Sequence, residues 1–272
     1  LKRGIKWVNG EKEKKKIIKC GIIGYGPSFG MGKYHANFIN STPDMKTIAF
    51  YDVSPERVNQ AKIDFPESKI YTNLENFLSD KEIDLVTVIT PHNTHKELVI
   101  KSLNAGKNTI VEKPMCITLK EADEMIEIAS GNNLMLSVFH NRRWDGDFLT
   151  VERIVKEGRI GNIFNIEAYI GSFSKPGEWW RAEKEISGGN FYDWGAHYLY
   201  WIISLLPYKI TKILGISQKR VWFNVSNEDE VKCLIIFENG EVADIVSSSI
   251  SAVEKERMRI SGDKGGIKWA LN

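Results

Sequence analysis

Three groups of residues combine types and spacings that can do chemistry. The first is glycine-rich: Gly24-Tyr25-Gly26, followed by Gly30 and Gly32, lies between an apolar run and a helix-like pattern. In a strand–turn–helix setting the first glycine permits a tight turn and the second lets backbone approach a pyrophosphate. The helix N-terminus adds free N–H groups and the positive end of its dipole. A regular G-x-G-x-x-G spacing would place the third glycine at position 29, which is Phe29. If Gly32 takes that part, the loop is about three residues longer than the usual one. Asp52 stands about where this fingerprint expects the acid that binds the adenosine ribose hydroxyls. A carboxylate there favours NAD, while the nearby Arg57 admits the extra phosphate of NADP. The plainer reading of Asp52, a cap on a helix starting at Pro55, is compatible with the cofactor role.

The second group is Lys113 with its neighbour Pro114, just past an apolar strand pattern. Proline biases the residue before it toward an extended or turn conformation, and an ammonium held there can stabilise negative charge developing on a reacting oxygen. A surface lysine lying along apolar groups is the common alternative. The third group is Asp193 and His197, four apart in a helical pattern and therefore on one face. An imidazole titrating near neutrality is a candidate general base, with Asp193 orienting it and contacting substrate hydroxyls. Spacing alone favours an ordinary exposed polar stripe of Asp193, His197, Tyr200 and Ser204 beside the apolar Trp194, Tyr198, Trp201 and Leu205. Arg142, Arg143, Trp144 and Asp145, with Trp179, Trp180 and Arg181, supply donors and flat faces of the kind that bind polyhydroxylated rings. His92 and His95 lack a third ligand at sensible spacing, so no metal is expected.

Elements must position these groups. Apolar, β-branched runs at 17–23, 47–51, 83–89, 108–111 and 134–139 alternate with helical patterns at 33–40, 55–64, 94–105 and 119–130. That alternation predicts a doubly wound parallel sheet of the Rossmann type, because parallel strands need crossover helices. Beyond about residue 140 the rhythm changes: helices over 148–157 and 191–206, the latter stopped by Pro207, and strands over 163–170, 231–237 and 242–250. Asn239-Gly240 between the last two is a hairpin signal. The fold class is thus α/β, with a Rossmann domain (16–140) after an N-terminal tail (1–15). An α+β domain with a largely antiparallel open sheet follows (141–272).

Composition narrows the function. Among 272 residues, 37 basic and 35 acidic side chains leave a formal charge of +2, too even to favour nucleic acid or an acidic membrane. The basic cluster at Lys12 and Lys14–Lys16 reads as a solvated tail, and the tetrapeptide shared by Gly4–Trp7 and Gly266–Trp269 is too short to be a repeat. Three scattered cysteines form neither a disulfide framework nor a zinc knuckle. No secretory or membrane-spanning segment is evident, so a cytoplasmic location is expected.

Taken together, Gly32-Lys33-Tyr34-His35, Thr90-Pro91-His92-Asn93-Thr94-His95, Glu112-Lys113-Pro114 and Asp193-Trp194-Gly195-Ala196-His197 resemble, in order and spacing, the glucose–fructose oxidoreductase, inositol dehydrogenase and MocA family over about residues 16–270. The resemblance implies a Rossmann domain and an α/β domain whose open sheet packs on a partner subunit, in homodimers or homotetramers, with the active site between domains. It gives His197 the role of base, places Thr90, Pro91, His95 and Glu112 near the cofactor, and implies a cis Lys113–Pro114 bond. Its substrates are sugars, polyols and cyclitols. Two departures stand out: the extended glycine loop, and a chain ending near Asn272, where members usually run on for several tens of residues. A shortened substrate wall or C-terminal helix is therefore expected. The expected activity is hydride transfer between NAD, or NADP, and a secondary alcohol. A non-catalytic dinucleotide-binding regulator on the same fold is the alternative, and it would have no need of Lys113, Asp193 and His197 together.

Overall fold

The computed structural model describes residues 17–269; the basic cluster at Lys12–Lys16 and the Gly4–Trp7 tetrapeptide lie outside the described residues. The first half runs β1 (Ile18–Ile23), α1 (Met31–Ser41), β2 (Met45–Tyr51), α2 (Pro55–Asp64), β3 (Lys69–Tyr71), α3 (Leu74–Ser79), β4 (Leu85–Val88), α4 (His95–Asn104), β5 (Asn108–Glu112), α5 (Leu119–Gly131) and β6 (Leu136–Phe139). Its six strands form one sheet in the order β3-β2-β1-β4-β5-β6, a doubly wound Rossmann arrangement. β1 pairs in parallel with both β2 and β4, so the strand order reverses beside it, the place where doubly wound sheets bind ligands. Local sequence explains the helix starts. Ser54 accepts from the Arg57 N–H with Pro55 at the first helical position, Asn73 caps α3, and Thr118 with Glu121 closes a capping box on α5.

The second half runs α6 (Gly146–Lys156), β7 (Ile163–Gly171), α7 (Lys184–Ser187), α8 (Phe191–Leu205), β8 (Ile210–Gln218), β9 (Glu230–Phe237), β10 (Val242–Ser248), β11 (Met258–Gly262) and β12 (Gly265–Trp269). These strands form a mixed sheet in the order β12-β11-β7-β10-β9-β8, antiparallel except where β7 meets β10. The Asn239-Gly240 hairpin pairs Ile236 with Val242, and Gly240 adopts φ 93°, which glycine takes without strain. Tyr198, Trp201, Ile202 and Leu205 of α8 sit in a core with Ile166, Ile235, Phe237, Ile245, Met258 and Ile260 from one face of this sheet. Each such fully buried side chain contributes about 1.5–3 kcal/mol.

Two compact units emerge from the packing. One takes in the described residues up to Ile89 together with Lys101–Thr109; the other takes in Thr90–Ile100 together with the described residues from Ile110 on. The reading of alternating elements omitted β3, α3, α7, β8, β11 and β12. β3 has only three residues, and β8 is exposed along most of its length, so its residues do not alternate between core and solvent. Among the described residues, no helix is long and apolar enough to cross a membrane.

Candidate active site

The glycine turn is built mainly from backbone. Gly24 takes φ 103°, and its N–H donates to the Tyr51 carbonyl of β2 at 2.8 Å. Gly30, φ 57°, caps α1 without a side-chain hydrogen bond, which leaves the first-turn N–H groups of the helix to other acceptors. At Gly32 a Cβ would lie 2.6 Å from the Tyr25 ring and 2.9 Å from the Gly24 carbonyl oxygen, so helix and turn pack too closely for any side chain. Gly32 therefore does the work of the third fingerprint glycine, and Phe29, at φ 58° and 71% exposed, belongs to the extension. Gly26 differs: its φ is not left-handed, and the nearest atom to a Cβ there would be Arg57 Nη1 at 3.8 Å. Among the described residues nothing crowds that position, whereas close approach of a pyrophosphate would, and the cradle fits a dinucleotide on this ground.

Asp52 is 5% exposed and helps to shape the turn: Oδ2 accepts from the Tyr25 N–H at 2.8 Å and Oδ1 from the Ser54 N–H at 3.0 Å. The Arg57 guanidinium lies 3.5 Å from Oδ1. The cap role goes to the Ser54 side chain rather than to Asp52.

The other constellation lies within the second unit. Lys113 follows β5, its peptide bond to Pro114 is cis as the resemblance implied, and its N–H donates to Glu112 Oε2 at 3.0 Å. The Lys113 ammonium donates to the Asp193 main-chain carbonyl at 3.1 Å and in a short bond to Asp193 Oδ1. Arg181 Nη1 donates to the same oxygen at 3.0 Å. Burial pushes the Asp193 carboxyl upward, but the two cations outweigh it and hold it at about 2.

His197 corrects two expectations. It is 4% exposed, not part of an exposed stripe, and its Nδ1 is buried without a partner, so Asp193 does not orient the ring by a hydrogen bond. Nor does it titrate near neutrality. Burial, then the Lys113 charge, bring its pKa down to about 3, with Asp193 opposing, so the ring is neutral at pH 7. The physical reason is shared: the carboxylate expected to support the imidazole is committed to Lys113 and Arg181.

His95, which the resemblance places near the cofactor, has a ring that is 0% exposed with both nitrogens 2.9 Å from main-chain carbonyls, of Pro114 and of Thr90. Thr90 receives the Thr94 hydroxyl at 2.7 Å, and the Pro91 carbonyl accepts from the same group. His92 is buried with Nδ1 2.8 Å from the Ser187 carbonyl and its ring edge-on to Trp180.

The expected substrate platform divides. Arg181 is tied to Asp193 and lies over Trp180; Arg142 lies over Trp194 and pairs with Asp145; Arg143 lies over Trp144 and Tyr200. His140, which the sequence reading passed over, stacks on Tyr200 with ring centroids 5.3 Å apart and stands edge-on to His197 at 6.2 Å. Its signal was its place directly after β6, beside Arg142. Among the described residues no three His, Cys, Asp or Glu side chains are grouped to hold a metal.

Comparison with known proteins agrees with this geometry. Residues 18–140 match the family model of the GFO/IDH/MocA oxidoreductases with an NAD-binding Rossmann fold, and residues 148–268 match the GFO/IDH/MocA C-terminal domain. An uncharacterized oxidoreductase of Schizosaccharomyces pombe is 36% identical over 201 residues, 71% of this chain and 54% of that protein. A scyllo-inositol 2-dehydrogenase (NADP(+)) of Bacillus subtilis is 33% identical over 190 residues, 68% of this chain and 51% of that one. The chain thus spans about half the length of these two curated relatives. The crystal structure of an NAD-binding protein from Listeria innocua superposes with a TM-score of 0.85 at 30% identity, covering 93% of this chain and 71% of that one. With both halves matched in order, this chain belongs to the GFO/IDH/MocA family of oxidoreductases, built on an NAD-binding Rossmann fold.

Proposed function

We propose that the protein is an NAD(P)-dependent dehydrogenase acting on a secondary alcohol of a sugar, polyol or cyclitol. The observation that carries this reading is the Lys113–Asp193–Arg181 charge cluster beside a neutral, buried His197. A site that merely bound a dinucleotide would have no use for it. The similarity to a scyllo-inositol dehydrogenase supports a polyhydroxylated substrate.

Gly24, Gly26, Gly30 and Gly32 would hold the pyrophosphate, with Asp52 and Arg57 toward the adenosine ribose, and Thr90, Pro91 and Glu112 lining the cofactor by family analogy. A bound nicotinamide supplies the hydride acceptor. The protein handles charge and protons. The Lys113 ammonium donates to the reacting oxygen, where negative charge grows as the hydroxyl proton leaves. His197 is uncharged at neutral pH and so has a lone pair ready for that proton. Asp193, kept ionised by its two cations, holds Lys113 in place and accepts from a substrate hydroxyl. Arg142, Arg143 and Trp180 bound the substrate. Residues 16–140 act as the cofactor domain and 141–272 as the substrate and oligomerisation domain, in a cytoplasmic homodimer or homotetramer.

The test is reduced-nicotinamide absorbance on scyllo-inositol, myo-inositol, glucose and xylose, each with NAD and with NADP. Turnover that disappears in Lys113→Ala is expected. NAD(H) binding with no turnover across this and a wider carbohydrate panel, unchanged by Lys113→Ala, would replace this reading with that of a regulator.

A further inference from the structure

His95 is fully buried and faces a carbonyl oxygen from each ring nitrogen, Pro114 from Nδ1 and Thr90 from Nε2, both at 2.9 Å. Carbonyls accept and cannot donate, while a neutral imidazole has one N–H and one lone pair. Either neutral tautomer therefore sets a nitrogen lone pair against a carbonyl lone pair at hydrogen-bond distance. Turning the ring over sets carbons against both oxygens. Only the imidazolium, with two N–H groups, satisfies both partners.

We propose that His95 is a buried imidazolium that positions Lys113, gripping the carbonyl of the next residue, Pro114, from one nitrogen and that of Thr90 from the other. The loops after β4 and β5 are thereby tied together directly beside the Lys113 backbone. Burial is the larger influence and lowers the ring's pKa, against the pull of the Thr90, Pro114 and Met115 carbonyls and the Glu112 carboxylate; two carbonyl oxygens facing two ring nitrogens at 2.9 Å argue for the second proton over that lowering. His92, with its ring centroid 5.7 Å away, brings no competing charge, because burial holds its pKa at about 4. The Lys113 ammonium, the other cation nearby, is matched by Asp193. A buried cation is tolerated where every donor is met and a carboxylate is near.

The positioning role rests on the dehydrogenase reading, whereas the charge of the ring does not. Side-chain 15N NMR on the whole chain at pH 7, with His95 assigned by the loss of its signals in His95→Phe, should show protons on both ring nitrogens. With whichever of scyllo-inositol, myo-inositol, glucose or xylose is turned over, His95→Phe should lower kcat by about a hundredfold, the scale of a small misplacement of a reacting group. KM for the nicotinamide cofactor should stay within about threefold, a split that general loosening of the fold would not give. His95→Gln, which keeps one donor and serves if the phenylalanine variant does not fold, should fall between. A bare ring nitrogen overturns the proposal. Two protonated nitrogens with wild-type kcat in both variants overturn the positioning role. A wild-type chain inert on every substrate counts against the dehydrogenase reading, while the spectrum still decides the charge of the ring.

Discussion

The glycine turn and the Lys113–Asp193–Arg181 cluster solve opposite problems by opposite means. The turn is built from backbone: two glycines at positive φ, one where a Cβ would collide with the turn, and one where a Cβ would meet no described atom closer than Arg57 Nη1 at 3.8 Å. It lies within nine residues of chain, from Gly24 to Gly32. The cluster is made of side chains drawn from residues 113, 181 and 193, and its properties come from their mutual charge and burial. A backbone site is specified by local spacing. A side-chain site is specified by whatever the fold brings together.

Substitutions can break that contrast. The largest effect is expected for Lys113→Ala: kcat should fall by about a hundred- to a thousandfold, the usual cost of losing a donor to developing negative charge. NADH affinity, read by nucleotide fluorescence, should hardly move. Next come the glycines. Gly32→Ala forces a Cβ against the Gly24 carbonyl and the Tyr25 ring and should cost about 1–3 kcal/mol in denaturant unfolding. Gly26→Ala has room within the protein, so unfolding should be unchanged while cofactor affinity drops. If the two variants behaved alike, Gly26 would not be facing a ligand.

A third effect concerns pH. His197 has its folded pKa lowered from 6.5 to about 3, so the unfolded chain binds more protons between those values. Its contribution to stability is complete above pH 6.5 and is lost as pH falls toward 3, and Asp193, lowered to about 2, follows the same sign at lower pH. Unfolding midpoints should fall with acid across that window, and His197→Phe should flatten the slope. The acid limb of kcat/KM in the wild type should lie near pH 3; a limb near 6.5 would mean that the ring is less buried when the enzyme works. The smallest effect is expected at Arg57, a half-exposed guanidinium beside Asp52. Arg57→Ala should reduce the use of NADP relative to NAD by about tenfold or less, measured as the ratio of kcat/KM values.

The parts that were legible in the sequence are those with short-range causes. The Rossmann alternation, the Asn239-Gly240 hairpin and the stop of α8 before Pro207 all come from neighbouring residues, and so does the helix start at Pro55, although its cap is Ser54 rather than the Asp52 read from the sequence. β8 escaped because an edge strand exposed along its length carries no alternation to read, and β3 because three residues are too few. In the site, the types and order of Lys113, Asp193 and His197 were visible, but their relations were not. Asp193 turned out to serve Lys113 and Arg181 rather than His197, and both His95 ring nitrogens face main-chain carbonyls.

By itself, then, the sequence determined that this chain carries a dinucleotide cradle followed by a mixed sheet with lysine, aspartate and histidine in family order, because φ preferences, caps and strand–helix rhythm act over a few residues. The tertiary structure alone decided which charges meet and which rings lose water. Pairing and desolvation depend on distances between residues far apart in the chain, and those two effects set the charge of Asp193 and the neutrality of His197.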